Sequence, residues 1–194
     1  MRLIFFGYSN IGHICLETLL DLCNQFQDEI VAVVTHVDDP REQIWFKSVA
    51  DLARSRQLPV YTPTDPNTPD FVALLKSLKP DFIFSCYYRQ LLKKPLLALP
   101  RLGALNLHGS LLPRYRGRCP LNWVLIHGEP LTGLTLHYME EKADTGDIVA
   151  QIQVPIELED TAWTLSEKMT AAAGRLLRQI YPLLRAEAAP RVPQ

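Results

Sequence analysis

Residues 30–35 read IVAVVT, apolar at both odd and even positions through Val34. A strand that is apolar on both parities must be covered on both faces, which is the pattern of a buried, parallel sheet. Asp81 to Cys86 (DFIFSC) repeats the pattern, and Leu3 to Phe6 is a shorter apolar run of the same kind. Between these runs lie segments of helical length. His13 to Phe26 places Ile14, Leu16, Leu19, Leu20 and Cys23 near one face, Trp45 to Gln57 reads as a helix, and so does Asp70 to Leu78. Pro59 to Tyr61 and Gly103 to His108 read as further strands. Strands alternating with helices imply an α/β fold with right-handed crossovers.

The later half changes character. Leu131 to Met139 and Gly146 to Ile156 read as a hairpin-like pair of strands at one edge of the sheet. Thr164-Leu165-Ser166-Glu167 has the capping-box pattern and opens a long helix. Leu165, Met169, Ala172, Leu176, Ile180 and Leu183 share its apolar stripe. Residues 1–185 therefore read as one domain, and 186–194, with two prolines and three alanines, as a tail or linker.

Composition narrows the function. A formal net charge of -1 over 194 residues disfavours bulk nucleic-acid binding. No segment approaches the ~20 uninterrupted apolar residues of a membrane span. Cys15, Cys23, Cys86 and Cys119 show no C-x-x-C spacing, so neither a metal site nor a disulfide framework is indicated. The expectation is a reduced, metal-free, cytoplasmic protein.

Gly7-Tyr8-Ser9-Asn10-Ile11-Gly12 occupies the place of a dinucleotide loop, but Ser9 stands where the middle glycine must let a pyrophosphate approach. It reads as a strand-to-helix turn. Ser110 lacks the flanking glycines of a nucleophile elbow, having His108 and Leu112 two residues away on either side. Cys119 has no marked partner, and His13, His36, His127 and His137 read as turn or surface residues.

Asn106 and His108 differ from these. Two apart in a strand, they point the same way, at the carboxyl end where open α/β sheets bind ligands. Their spacing equally permits a pair that caps the loop backbone. Asp144, between the last two strands, reads by itself as a turn aspartate. Arg114, Arg116 and Arg118 alternate, so an extended loop would put all three on one side. Such a row is either a solvated basic face or a binding surface for phosphates or carboxylates.

With these residues in view, the chain resembles the formyltransferase family that uses 10-formyltetrahydrofolate. The family's marks are an Asn-x-His pair, an S-L-L-P loop and a later aspartate, here Asn106, His108, Ser110 to Pro113, and Asp144 in ADTGDIV. The stretches THVDDPRE (35–42), FSCYYRQLL (84–92), NLHGSLLPRYRGRCPLNWVLIHGE (106–129) and TGLTLH (132–137) are most similar to one branch. That branch comprises the formyltransferase domains of bifunctional polymyxin-resistance enzymes, which act on UDP-4-amino-4-deoxy-L-arabinose in lipid A modification.

The resemblance implies a Rossmann-like, twisted, mainly parallel sheet with helices on both faces. It implies His108 as proton donor, Asn106 as support for an oxyanion, and Asp144 as the group that holds the histidine and raises its pKa. Folate would lie against Gln90, Leu91 and Leu92, against Ser110, Leu111, Leu112, Pro113 and Arg118, and along Glu140, Glu141, Lys142 and Ala143. Arg114 and Arg116 would meet the acceptor, a nucleotide-linked amino sugar. Cys119 stands where the family carries alanine. Acceptors left open are a carrier-bound aminoacyl group, as in nonribosomal peptide synthesis, and methionyl-tRNA. An inactive folate- or nucleotide-binding module is the reading from another class. Relatives continue into a barrel-like subdomain, which leaves further domains after Gln194 open. The Asn106–His108 strand end is expected to open into the largest pocket.

Overall fold

The computed structural model describes residues 1–38 and 46–194. Seven strands form one sheet: β1 (Arg2–Gly7), β2 (Glu29–Val34), β3 (Val60–Tyr61), β4 (Phe82–Cys86), β5 (Gly103–His108), β6 (Leu131–Tyr138) and β7 (Ile148–Pro155). Their order is β3-β2-β1-β4-β5-β6-β7. Helices α1 (Ser9–Phe26), α2 (Val49–Ser55), α3 (Pro69–Ser77), α4 (Lys94–Leu97), α5 (Pro120–Ile126) and α6 (Ala162–Arg185) complete the α/β fold that the strand pattern predicts. The chain divides into two compact units, Met1–Leu105 and Asn106–Gln194.

In the first unit β1 pairs in parallel with both β2 and β4, and β2 with β3. Ile4, Phe5, Phe6, Ala32, Val33 and Val34 are completely buried, as the two-parity pattern requires. Burying a large apolar side chain contributes about 1.5–3 kcal/mol, so these strands anchor the unit. Helix α1 starts at Ser9, earlier than the expected His13, because the Gly12 N–H already bonds to the Tyr8 carbonyl at 3.0 Å. A Cβ on Gly12 would lie 3.1 Å from the Gly7 carbonyl carbon and 3.2 Å from the Cys86 oxygen. That glycine serves close packing of helix on strand. The expected helix 45–57 is found from Val49, capped by Ser48, while Trp45 and part of the THVDDPRE stretch lie outside the described residues.

In the second unit β6 and β7 pair antiparallel, the predicted hairpin-like pair. Helix α6 packs on both of them and on α5. Its capping box lies three residues earlier than expected: Thr161 caps the Thr164 N–H (3.2 Å), and Thr164 Oγ1 accepts from the Thr161 N–H (2.9 Å). The core stripe ends on Leu184, one heptad-like step of four after Ile180, and Leu183 is instead 44% exposed. The short helices α4 and α5 carry no apolar periodicity long enough to predict. The segment 186–194, expected as a frayed tail, is docked: Val192 and Ile148 exchange both backbone hydrogen bonds, at 2.7 and 2.9 Å. Among the described residues no helix is long and apolar enough to cross a membrane.

Candidate active site

Strand β5 ends with Asn106 partly exposed and His108 only 6% exposed. The His108 Nε2–H donates to the Tyr115 carbonyl at 2.8 Å, and Nδ1 lies 3.5 Å from Asp144 Oδ1. Asp144 Oδ2 accepts from the Gly117 N–H at 2.9 Å. The Asn106 amide nitrogen is 3.1 Å from His137 Nε2. His137 Nδ1 faces the Tyr138 carbonyl at 2.7 Å, so the proton sits on Nδ1 and Nε2 accepts from the Asn106 amide. The structure thus unites the three residues singled out in the sequence and adds His137, which is 1% exposed rather than at the surface. The signal for His137 was its place in TGLTLH, two residues from Thr135 and on the same strand face.

Local backbone shape fixes Asp144. It adopts a left-handed conformation (φ 56°), which a short polar side chain tolerates better than most. Thr145 Oγ1 donates back to the Lys142 carbonyl at 2.9 Å. Gly146 is required, because a Cβ there would come within 2.1 Å of the Tyr138 carbonyl oxygen.

Burial pushes the His108 pKa down, the Asp144 carboxylate and the Tyr115 carbonyl push it up, and the His137 ring opposes protonation. Burial wins, so His108 sits below its ordinary value. Asp144 does push the His108 pKa up, the direction the resemblance implies, but the carboxylate offsets the cost of burial without exceeding it. Burial raises Asp144, but His137, His108 and the Gly117 N–H outweigh it and leave the carboxyl below its usual range.

The loop after β5 is a turn at 112–115, not an extended run, and the arginines part company. Arg114 pairs with Glu129, Arg116 bonds to Gln194 Oε1 through Nε (3.2 Å) and Nη2 (2.9 Å), and Arg118 is exposed. Ser110 is fully buried and donates to the Arg114 and Tyr115 carbonyls (2.6 and 3.3 Å), which gives it a loop-shaping role. Thr135 Oγ1 bonds to the Ser110 carbonyl and accepts from the Leu112 N–H. Leu112 is buried, Pro113 is exposed, and Leu111 would meet a Cβ on Gly133. Glu140, Glu141, Lys142 and Ala143 are exposed. Cys119 is exposed, at the N-cap of α5.

In the first unit Gln90 Nε2 donates to the Thr64 carbonyl at 2.8 Å, while its Oε1 is buried without a partner. Leu91 is 71% exposed and Leu92 buried. A cavity of about 420 Å³ is lined by Tyr8, His36, Thr62, Thr64, Arg89 and Gln90. His36 accepts the Arg89 N–H through Nε2 (3.1 Å), and the Arg89 guanidinium lies 4.5 Å from the Tyr8 ring centre. A second cavity, about 370 Å³, lies beside Cys23, Asp28 and Pro59. Neither of these two cavities is lined by Asn106 or His108. Among the described residues no cluster of His, Cys, Asp and Glu is placed to hold a metal ion.

Residues 1–180 match the model of the formyl transferase family. A phosphoribosylglycinamide formyltransferase from Bacillus halodurans is 26% identical, with 96% of this chain and 94% of that one covered, at a TM-score of 0.77. An N-formyltransferase from Helicobacter canadensis, in complex with folinic acid and dTDP-3-aminofucose, shares the fold at 24% identity. The match covers 100% of this chain and 67% of that one, at a TM-score of 0.78. A formyltetrahydrofolate deformylase from Pseudomonas syringae pv. tomato shares it at 22% identity, 95% and 61% coverage and a TM-score of 0.78. The chain belongs to the formyl transferase family.

Proposed function

We propose that the chain transfers a formyl group from 10-formyltetrahydrofolate to the primary amine of a nucleotide-linked 4-amino sugar, with UDP-4-amino-4-deoxy-L-arabinose the first candidate, in the cytoplasm. The observation that carries the reaction is the convergence of Asn106, His108 and Asp144: His108 Nδ1 and His137 Nε2 lie 3.5 and 3.6 Å from Asp144 Oδ1, and the Asn106 amide meets the same His137 nitrogen at 3.1 Å. The stretches 84–92 and 106–129 support this acceptor, and the Helicobacter canadensis relative, bound to a dTDP-linked 3-amino sugar, supports the broader class of nucleotide-linked amino sugars.

The residues fit a folate. Gln90 keeps a buried amide oxygen without a partner beside exposed Leu91, a site for a donor-bearing, partly apolar ring. The folate supplies an activated formyl carbon. An amide carries two hydrogens, and His137 holds one from Asn106, leaving the other for the formyl oxygen. His108 offers its Nε2 hydrogen to the same oxygen by exchanging it from the Tyr115 carbonyl. Donors aimed at a developing oxyanion are typically worth ~10²–10³ each in rate. Asp144 favours the imidazolium, the better proton donor. No nucleophilic side chain is needed, in keeping with the occupied Ser110 hydroxyl.

A second reading rests on the Bacillus halodurans enzyme, which matches along nearly its whole length. It makes the acceptor the amine of a glycinamide ribonucleotide. The deciding experiment follows tetrahydrofolate release with a panel of UDP- and dTDP-amino sugars, glycinamide ribonucleotide and an aminoacyl carrier protein. Turnover on a UDP-4-amino sugar is expected. Turnover on the ribonucleotide or the carrier alone replaces the acceptor, and no turnover on any amine defeats the proposal.

A further inference from the structure

Residues 191–194 run alongside the two loops that hold the His108–Asp144 pair. Val192 pairs through its backbone with Ile148, the residue that stands opposite His137 in the β6–β7 register. The Arg191 guanidinium lies 3.7 Å from the centre of the Tyr138 ring, and its Nε is 3.7 Å from Asp147 Oδ2. Gln194 Nε2 donates to the Gly146 carbonyl at 2.6 Å, while its Oε1 accepts from Arg116. One amide therefore ties the loop that carries Asp144 to the loop whose Tyr115 carbonyl and Gly117 N–H hold His108 and Asp144.

We propose that the segment Arg191–Gln194 is a positioning strap for the reaction, with Gln194 as its positioning residue. Asp144 occupies the left-handed backbone region, which aspartate tolerates better than most residues but which the contacts of its loop still have to hold. The fixings of its loop outside the strap include Thr145 on the Lys142 carbonyl, the Gly117 N–H on the carboxylate and the Tyr138 N–H on the Asp147 carbonyl. Gln194 and Val192 add restraints immediately after it, at Gly146 and Ile148. The same side chain fixes the guanidinium of Arg116, so the strap also sets the direction of a cation proposed to meet the acceptor. An amide suits this task because it donates on one side and accepts on the other. A glutamate would face the Gly146 carbonyl with a second acceptor.

The inference rests on formyl transfer for its kinetic arm, so the experiment carries a second arm that does not. Gln194→Ala and Val192→Pro are compared with the wild-type chain in turnover, KM for each substrate, and amide hydrogen exchange at Ile148 and Gly117. Misplacing a catalytic group by about 1 Å can cost as much as ~10² in rate. The strap predicts that turnover falls by roughly tenfold in either variant with little change in KM for folate. It also predicts faster exchange at Gly117, whose N–H is held by Asp144 rather than by the strap. Faster exchange at Ile148 alone, with Gly117 and turnover unmoved, would reduce the segment to a cover for a strand edge and overturn the proposal. A wild-type chain inactive on every amine would defeat the proposed function instead, and exchange at Gly117 would still decide the strap.

Discussion

Strands β4 and β5 both end in polar side chains, and they dispose of them differently. After β4, Tyr87 and Tyr88 bury their hydroxyls with no partner, and burial pushes the Tyr88 phenol up to about 12 and the Tyr87 phenol still higher. Ring packing holds this end: Tyr88 stacks on His36 at 4.3 Å between centroids and meets Phe6 edge-on at 5.2 Å. At the end of β5, Asn106 and His108 are held by another ring, backbone carbonyls and a carboxylate. The two phenols of the first arrangement are inert to pH over the ordinary range, because phenols raised that far stay neutral. The second balances burial against a neighbouring charge, and a small change in either moves the proton. Position at a strand end is shared; the chemistry comes from the choice of partner.

The contrast can be broken most severely at His108. His108→Ala is expected to lower turnover by roughly 10²-fold or more while folate binding, read by calorimetry, stays near wild type. Next comes His137→Ala, which leaves the Asn106 amide unheld and should cost about tenfold in turnover. Ser110→Ala leaves two loop carbonyls without their hydroxyl donor, so denaturant titration should show a loss of about 1–3 kcal/mol. Tyr88→Phe removes a hydroxyl that has no partner, so its stability should stay within about 0.5 kcal/mol of wild type. If Tyr88→Phe proved the more damaging to turnover, the assignment of chemistry to the β5 end would be reversed.

Much of this was legible in the chain itself, for physical reasons that differ by residue. Burial on both faces wrote IVAVVT and DFIFSC as central strands, and the period of two put Asn106 beside His108. His137 was missed because one histidine two residues from a threonine in a strand is a weak pattern, and its partner is 31 residues away. The arginine row failed because turn geometry at 112–115, not alternation, sets the directions of Arg114 and Arg116. Docking of Val192 on Ile148 is made of backbone hydrogen bonds, which leave no mark in side-chain composition. Neither does the depressed pKa of His108, since burial is a property of the folded surroundings.

The central claim is that Asp144 works through the charge state of His108, and the pH dependence of kcat/KM tests it most directly. An isolated histidine titrates near ~6.5. Burial already places His108 below that, and Asp144 supplies the opposing upward push. Asp144→Asn keeps the shape and removes the push, so the His108 pKa must fall further. In the proposed mechanism the imidazolium is the working form, so activity is lost as pH rises through that pKa. The account predicts that the descending limb of the profile moves to lower pH in Asp144→Asn, with activity best preserved at the acid end. A descending limb that stays in place or moves to higher pH, with fold and folate binding intact, would contradict it.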